Sequence, residues 1–161
     1  MTKVREYQES DVAAMASIWN EIIEEGIAFP QLEGLTENEA VSFFARASYA
    51  AVCLDESDTV LGLYILKPNN VGRCGHIANA TYAVKSEARG QKIGELLVRH
   101  STHAARNLGF RLMQFNAVVV SNYSAVHLYE KLGFNRLGVI PGGFLLKNGK
   151  YEDIILYYLE L

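Results

Sequence analysis

Apolar residues recur along this chain with two different periods, and the switches between them divide it into strands and helices. Residues 2–7 read as a short first strand. Ser10 or Asp11 then offers an N-cap to a helix whose apolar positions Val12, Met15, Ile18, Trp19, Ile22 and Ile23 keep the helical spacing up to Gly26. Thr36 and Glu39 have the spacing of a capping box, predicting a helix over residues 37–47 that buries Ala40, Phe43 and Phe44. Residues 49–54 and 60–66 are strands joined by the polar turn Asp55, Glu56, Ser57, Asp58. A connection over 68–75 leads to a strand at 76–84, which carries β-branched and aromatic residues and lacks Gly and Pro.

Helical spacing resumes at Ile93, Leu96, Leu97, Ala104 and Leu108, with Gly109 as a stop signal. Residues 112–120 alternate as a strand, setting Leu112, Gln114, Asn116 and Val118 on one face and Met113, Phe115, Ala117 and Val119 on the other. Asn122 caps a further helix that ends at Gly133. A strand over 134–140, a Pro141-Gly142-Gly143 loop, an Asn148-Gly149 hairpin turn and a strand over 151–161 complete the chain. The fold class is α/β in the α+β sense: a mixed, mostly antiparallel sheet of about seven strands flanked by about four helices, in one domain over residues 1–161.

The turn between the strand at 76–84 and the helix at Ile93 holds Arg89, Gly90, Gln91, Lys92 and Gly94. A helix start behind a Gly-containing loop leaves backbone N–H groups without internal partners, and these can converge on an anion. Gly90 and Gly94 allow a ligand to approach the main chain, while Arg89 and Lys92 favour a diphosphate. An ordinary turn with two solvated cations is the alternative for this stretch alone. Neither a nucleotide P-loop nor a GxGxxG fingerprint is present. Asn79 and Asn116 are polar side chains within apolar strands. Each needs a partner, either a neighbouring strand or a carboxylate bound in a cleft. Glu24 and Glu25 close the first helix against its dipole, either as a solvated pair or for a functional reason.

Composition narrows the classes. The chain has 161 residues, half of them apolar, and no apolar run long enough to span a bilayer. The N-terminal segment lacks a secretory apolar stretch, so a cytoplasmic location is expected. A net charge of -3 with interspersed signs provides no basic face for nucleic acid. Cys53 and Cys74 read as reduced thiols; His100 and His103 share a helix face but have no third ligand, so no metal is expected.

The run Arg89 to Gly94 resembles the signature loop of the GCN5-related N-acetyltransferases (GNAT), with Lys92 where the middle Gly usually stands. A second block, Asn122, Ala125, Leu128, Tyr129, Lys131, Leu132, Gly133 and Phe134, is similar to that family's next helix and strand. The resemblance covers residues 82–134 and implies the GNAT fold and acetyl-CoA as cosubstrate. It implies a cofactor site of Tyr82, Val84, Arg89, Gly90, Gln91, Lys92, Ile93, Gly94, Asn122 and Tyr129. The family reaction is direct attack of an amine on the thioester through a tetrahedral state. The Val84 N–H would stabilise the oxyanion, freed by a bulge in its strand, and Tyr129 would protonate the leaving thiolate. Glu25 is the first candidate for the base, ahead of Tyr82 and Glu24.

Residues 19–30 resemble the loop overhanging the acceptor in phosphinothricin-type acetyltransferases, which gives Glu25 and Phe29 a place at the acceptor. The segments HIANATYAV and FNAVVVSN resemble proline-analogue acetyltransferases acting on azetidine-2-carboxylate, in which the matching asparagines hold the substrate; the resemblance would give Asn79 and Asn116 that role here. The implied partner is a small amine, preferably an amino acid, with a possible homodimer contact on the strand Tyr151 to Tyr158. The alternatives are a non-catalytic acyl-CoA-binding module and a protein N-acetyltransferase.

Overall fold

A computed structural model describes residues 1–161. The strands are β1 (Lys3–Glu6), β2 (Tyr49–Leu54), β3 (Val60–Pro68), β4 (Ile77–Val84), β5 (Leu112–Val119), β6 (Asn135–Leu145) and β7 (Tyr151–Glu160). The helices are α1 (Val12–Glu25), α2 (Glu37–Ala45), α3 (Ile93–Asn107) and α4 (Tyr123–Lys131). They build one seven-stranded sheet in the order β1-β2-β3-β4-β5-β7-β6, antiparallel except between β4 and β5.

The periodicities set the two layers. Val12, Met15, Ile18, Trp19, Ile22 and Ile23 of α1 are all buried and meet Ala40 and Phe44 of α2 over one face of β2 and β3. On the opposite face Ile93, Leu97 and Ala104 of α3 pack on Met113, Phe115, Phe134 and Tyr157. Leu96 and Leu108, expected inside, are 38% and 47% exposed. The capping box of α2 forms, Glu39 N–H donating to Thr36 Oγ1 and Thr36 N–H to Glu39 Oε2. Asp11 does not cap α1. Its carboxylate instead accepts from Arg5 at 2.7 and 3.1 Å and from the Gln8 N–H, and the bond from Arg5 holds it below the usual carboxylate range.

Two expectations change in the C-terminal half. The Pro141-Gly142-Gly143 segment belongs to β6, which crosses it in an irregular register, and the Gly142 N–H donates to Asp153 Oδ1 at 2.9 Å. The strict alternation assigned to β5 breaks between Phe115 and Val118, where its register against β7 shifts by one residue. That bulge turns Val118 to the face of Met113 and Phe115 and sends Val119 to the other. Strand β7 lies between β5 and β6 with Tyr157 fully buried and Tyr151 exposed, and the outer strand is β6.

Candidate active site

The site begins where the sheet comes apart. Strands β4 and β5 are joined at only two rungs, Ile77 with Leu112 and Ala78 with Met113. On its other edge β4 stays paired with β3 from Ala78 to Val84 without a register shift, so the bulge expected near Val84 is absent from β4 and sits in β5. Asn69 N–H donates to the Ile77 carbonyl and Lys85 N–H to the Leu61 carbonyl, which fixes the odd-numbered residues of β4 as those bonded to β3. Main-chain groups alternate in direction along a strand, so Ala80, Tyr82 and Val84 turn theirs into the gap toward β5. The donor assigned to Val84 is therefore free because the strands splay.

Beyond β4 the chain makes a short 3-10 turn, Ser86–Ala88, and enters α3 through the loop singled out in the sequence. The N–H groups of Gly90, Gln91, Lys92, Ile93, Gly94 and Glu95 have no acceptor in the chain, whereas Ala88 and Arg89 before them and Leu96 after them do. Gly90 is left-handed at φ +80, and so is Lys92 at φ +63. Lys92 thus adopts the conformation for which the family pattern uses Gly, at a strain of about 1 kcal/mol for a side chain with a Cβ. Lys92→Gly is expected to raise stability by about 1 kcal/mol, or about 2–4 °C in Tm, read by thermal unfolding. Gly94 faces α4: a Cβ there would stand 3.4 Å from Leu128 Cδ2.

Two side chains given separate roles in the sequence meet. Arg89 Nη2 lies 2.5 Å from Glu25 Oε1, tying the end of α1 to the phosphate-type loop. The other candidate bases are engaged. Glu24 Oε1 accepts from Lys147 Nζ at 2.6 Å. The Tyr82 hydroxyl lies 2.7 Å from Ser101 Oγ, and burial holds its pKa well above the ordinary phenol value. The side chain of Tyr82 is thus a core element, and only its main chain faces the gap.

Tyr129 projects from α4 into an aromatic group of Phe115 (4.5 Å between ring centroids), Phe134 (5.6 Å), Tyr157 (6.0 Å) and Tyr82 (6.3 Å). The hydroxyls of Tyr82 and Tyr157 are bonded to Ser101 and Glu130, but that of Tyr129 has no partner in the chain. Burial, and then Tyr157, hold its phenol above the ordinary value, so it carries its proton at neutral pH. Asn122 caps α4, its Oδ1 accepting from the Ala125 N–H at 3.4 Å.

Asn79 and Asn116 stand on the sheet face that Ala78, Ala80, Met113 and Phe115 turn away from. Asn79 Nδ2 donates to the Gln114 carbonyl at 3.0 Å, spanning the two strands just past their last rung. Asn116 Nδ2 donates to Asn69 Oδ1 at 2.6 Å, and its Oδ1 accepts from Gln114 Nε2 at 3.1 Å. Asn69 and Gln114 are partners that the sequence reading missed; neither lies in a motif, and only the tertiary pairing of β3, β4 and β5 assembles them. Each of the two asparagines keeps one carboxamide N–H uncommitted.

Phe29 is buried against Trp19, with ring centroids 4.6 Å apart, and also lines a cavity of about 470 Å³. That cavity lies between the α1–α2 connection and the β6–β7 hairpin and does not include Asn79, Asn116 or Tyr129. The hairpin is strapped to α1: Lys147 N–H donates to the Gly26 carbonyl at 3.1 Å, and its Nζ to the Glu24 carbonyl at 2.7 Å. His100 Nδ1 lies 2.8 Å from the Tyr64 hydroxyl. No helix is long and apolar enough to cross a membrane.

A profile of the acetyltransferase (GNAT) family matches residues 13–134. The N-acetyltransferase aca1 of Schizosaccharomyces pombe is 30% identical, over 93% of this chain and 80% of its own. A GCN5-related N-acetyltransferase from Kribbella flavida superposes with a TM-score of 0.93 at 32% identity, covering 99% of this chain and 98% of that one. A phosphinothricin acetyltransferase from Sinorhizobium meliloti, solved in complex with AcCoA, shares the fold with a TM-score of 0.92 at 22% identity, over 99% and 88% of the two chains.

Proposed function

The chain belongs to the acetyltransferase (GNAT) family, and from that premise we propose that it transfers the acetyl group of acetyl-CoA to the amine of a small amino acid or amino-acid analogue. The observation that carries the cosubstrate is the unbroken run of unpartnered N–H groups from Gly90 to Glu95, which fits a diphosphate flanked by Arg89 and Lys92. Main-chain groups of Tyr82 and Val84 facing the gap, with the carboxamide of Asn122 at its open end, suit an amide-bearing arm.

Bound there, acetyl-CoA supplies an activated acetyl thioester. The Val84 N–H is the donor for the carbonyl oxygen as it gains charge. The Tyr129 hydroxyl, protonated and without a competing partner, delivers its proton to the departing thiolate and regains one from the acceptor nitrogen as the C–N bond forms. Glu25 keeps one oxygen free of Arg89 and is the carboxylate through which that amine's first proton leaves to solvent. The free Tyr129 hydroxyl also weighs against a module that only binds acyl-CoA.

The acceptor class follows from two features. The uncommitted N–H groups of Asn79 and Asn116 suit a carboxylate, and the strap from Lys147 to Glu24 and Gly26 holds the β6–β7 hairpin against the end of α1, an arrangement that suits a small acceptor. The test is thiol release from acetyl-CoA over a panel of amino acids that includes azetidine-2-carboxylate, together with peptide amines. Turnover with an amino acid is expected. Asn116→Ala should raise the acceptor KM about 10-fold or more while leaving that of acetyl-CoA within about 2-fold, as for loss of a hydrogen bond to a charged group. Turnover with peptides alone would replace this reading by protein acetylation.

A further inference from the structure

The carboxamides of Gln114, Asn116 and Asn69 form a relay that runs in one direction. Gln114 Nε2 donates to Asn116 Oδ1 at 3.1 Å, and Asn116 Nδ2 donates in turn to Asn69 Oδ1 at 2.6 Å. Asn69 Nδ2 bonds nothing in the chain, so the relay ends on a carboxamide with both N–H groups free. Hydrogen bonds linked in this way polarise one another, which strengthens the last donor. The main chain beneath it is fixed, because the Asn69 N–H donates to the Ile77 carbonyl at 2.7 Å.

The surroundings of that donor suit an anion. The two ends of one carboxamide lie about 2.3 Å apart, so Asn69 Nδ2 stands within about 5 Å of Asn116 Nδ2. Donors at that spacing can each bond one oxygen of a single carboxylate. The strands around them, β3, β4 and β5, contain no Asp or Glu. Lys67, by contrast, pairs with Asn79 across β3 and β4, on the face marked by Leu63 and Ile65, and takes part in none of the chain's ion pairs. The group of neutral carboxamides therefore has an uncompensated cation beside it and no competing acid.

We propose that Asn69 binds the acceptor directly: its Nδ2 donates to one oxygen of the carboxylate beside Asn116, and this makes the enzyme select an acid over its amide. The inference rests on the amino-acid reading above and adds to it a residue and a basis for specificity. A carboxylate accepts from every free N–H of the group, whereas a carboxamide brings an N–H of its own against them and loses a bond. Asn69 holds the acceptor and has no part in the proton transfers assigned to Tyr129 and Glu25.

Asn69→Asp keeps the oxygen that accepts from Asn116 and replaces the free donor by a charge of the wrong sign for a carboxylate. The CoA-loaded protein is titrated with the amino acid of the panel that has the highest kcat/KM, and with the amide of that amino acid. The variant should lower the acid-to-amide affinity ratio about 10-fold or more, with the acetyl-CoA KM within about 2-fold and Tm within about 2 °C of the parent. Asn69→Ala should raise the acceptor KM about 5-fold or more even in an Asn116→Ala background, which a residue acting only through Asn116 would not do. An acid-to-amide ratio within about 2-fold of the parent, or no added effect of Asn69→Ala in that background, overturns the inference and leaves the amino-acid reading intact. A fall in Tm of more than about 4 °C in Asn69→Asp assigns Asn69 to the fold and overturns it as well. If the parent acetylates no amino acid, the reading and the inference fall together.

Discussion

Tyr129→Phe is expected to lower kcat about 100-fold, or about 2.7 kcal/mol, with little change in either KM. The reasoning is local. The ring is held on four sides by Phe115, Phe134, Tyr157 and Tyr82, and Phe fills the same volume, so the packing survives. The hydroxyl bonds nothing in the chain, so its removal leaves no orphaned partner, and stability should stay within about 0.5 kcal/mol. A loss confined to kcat with an unchanged melting curve is the signature of a proton donor. Unchanged kcat would return Tyr129 to the aromatic core. Because burial raises this phenol, the group stays protonated as pH increases, and kcat should show no alkaline loss from it below about pH 10.

Trp19→Ala should have the largest effect on stability, about 3–5 kcal/mol in a chain whose whole stability is of the order of 5–15 kcal/mol. Trp19 is 1% exposed and has Phe29, Phe43 and Phe44 around it at centroid distances of 4.6, 5.1 and 6.0 Å. Those contacts bind α1 to α2 and also seat Phe29, the fixed point of the loop over the cavity. Urea unfolding should report the loss, and the acceptor KM should rise with it, since the loop loses its anchor. Trp19→Phe, which keeps an aromatic ring in the site, should recover part of both. A stability loss below about 1 kcal/mol would mean that α2 and Phe29 repack without the indole.

Helical spacing was enough to place α1 and α3, and local chemistry enough to place the capping box at Thr36 and Glu39, because these depend on residues a few positions apart. The anion loop was legible for the same reason: its Gly residues and cations sit within Arg89 to Gly94. What escaped depends on pairing between distant segments. Nothing in FNAVV announces the extra residue that turns Val118 inward, since the bulge is a relation between β5 and β7. The Arg89–Glu25 ion pair and the Lys147 strap join positions 64 and 123 residues apart.

At the split between β4 and β5, recognition is divided within single residues. Ala80, Tyr82 and Val84 send their side chains into the packing beneath α3 while their peptide groups stay available to a visitor. At these three positions the side chain is thereby constrained by volume and the ligand meets only the main chain, whereas Asn79 of the same strand offers its side chain. Residues 80, 82 and 84 can be exchanged for others of like volume and still present the same peptide groups, provided the strand keeps its length and its distance from its neighbour.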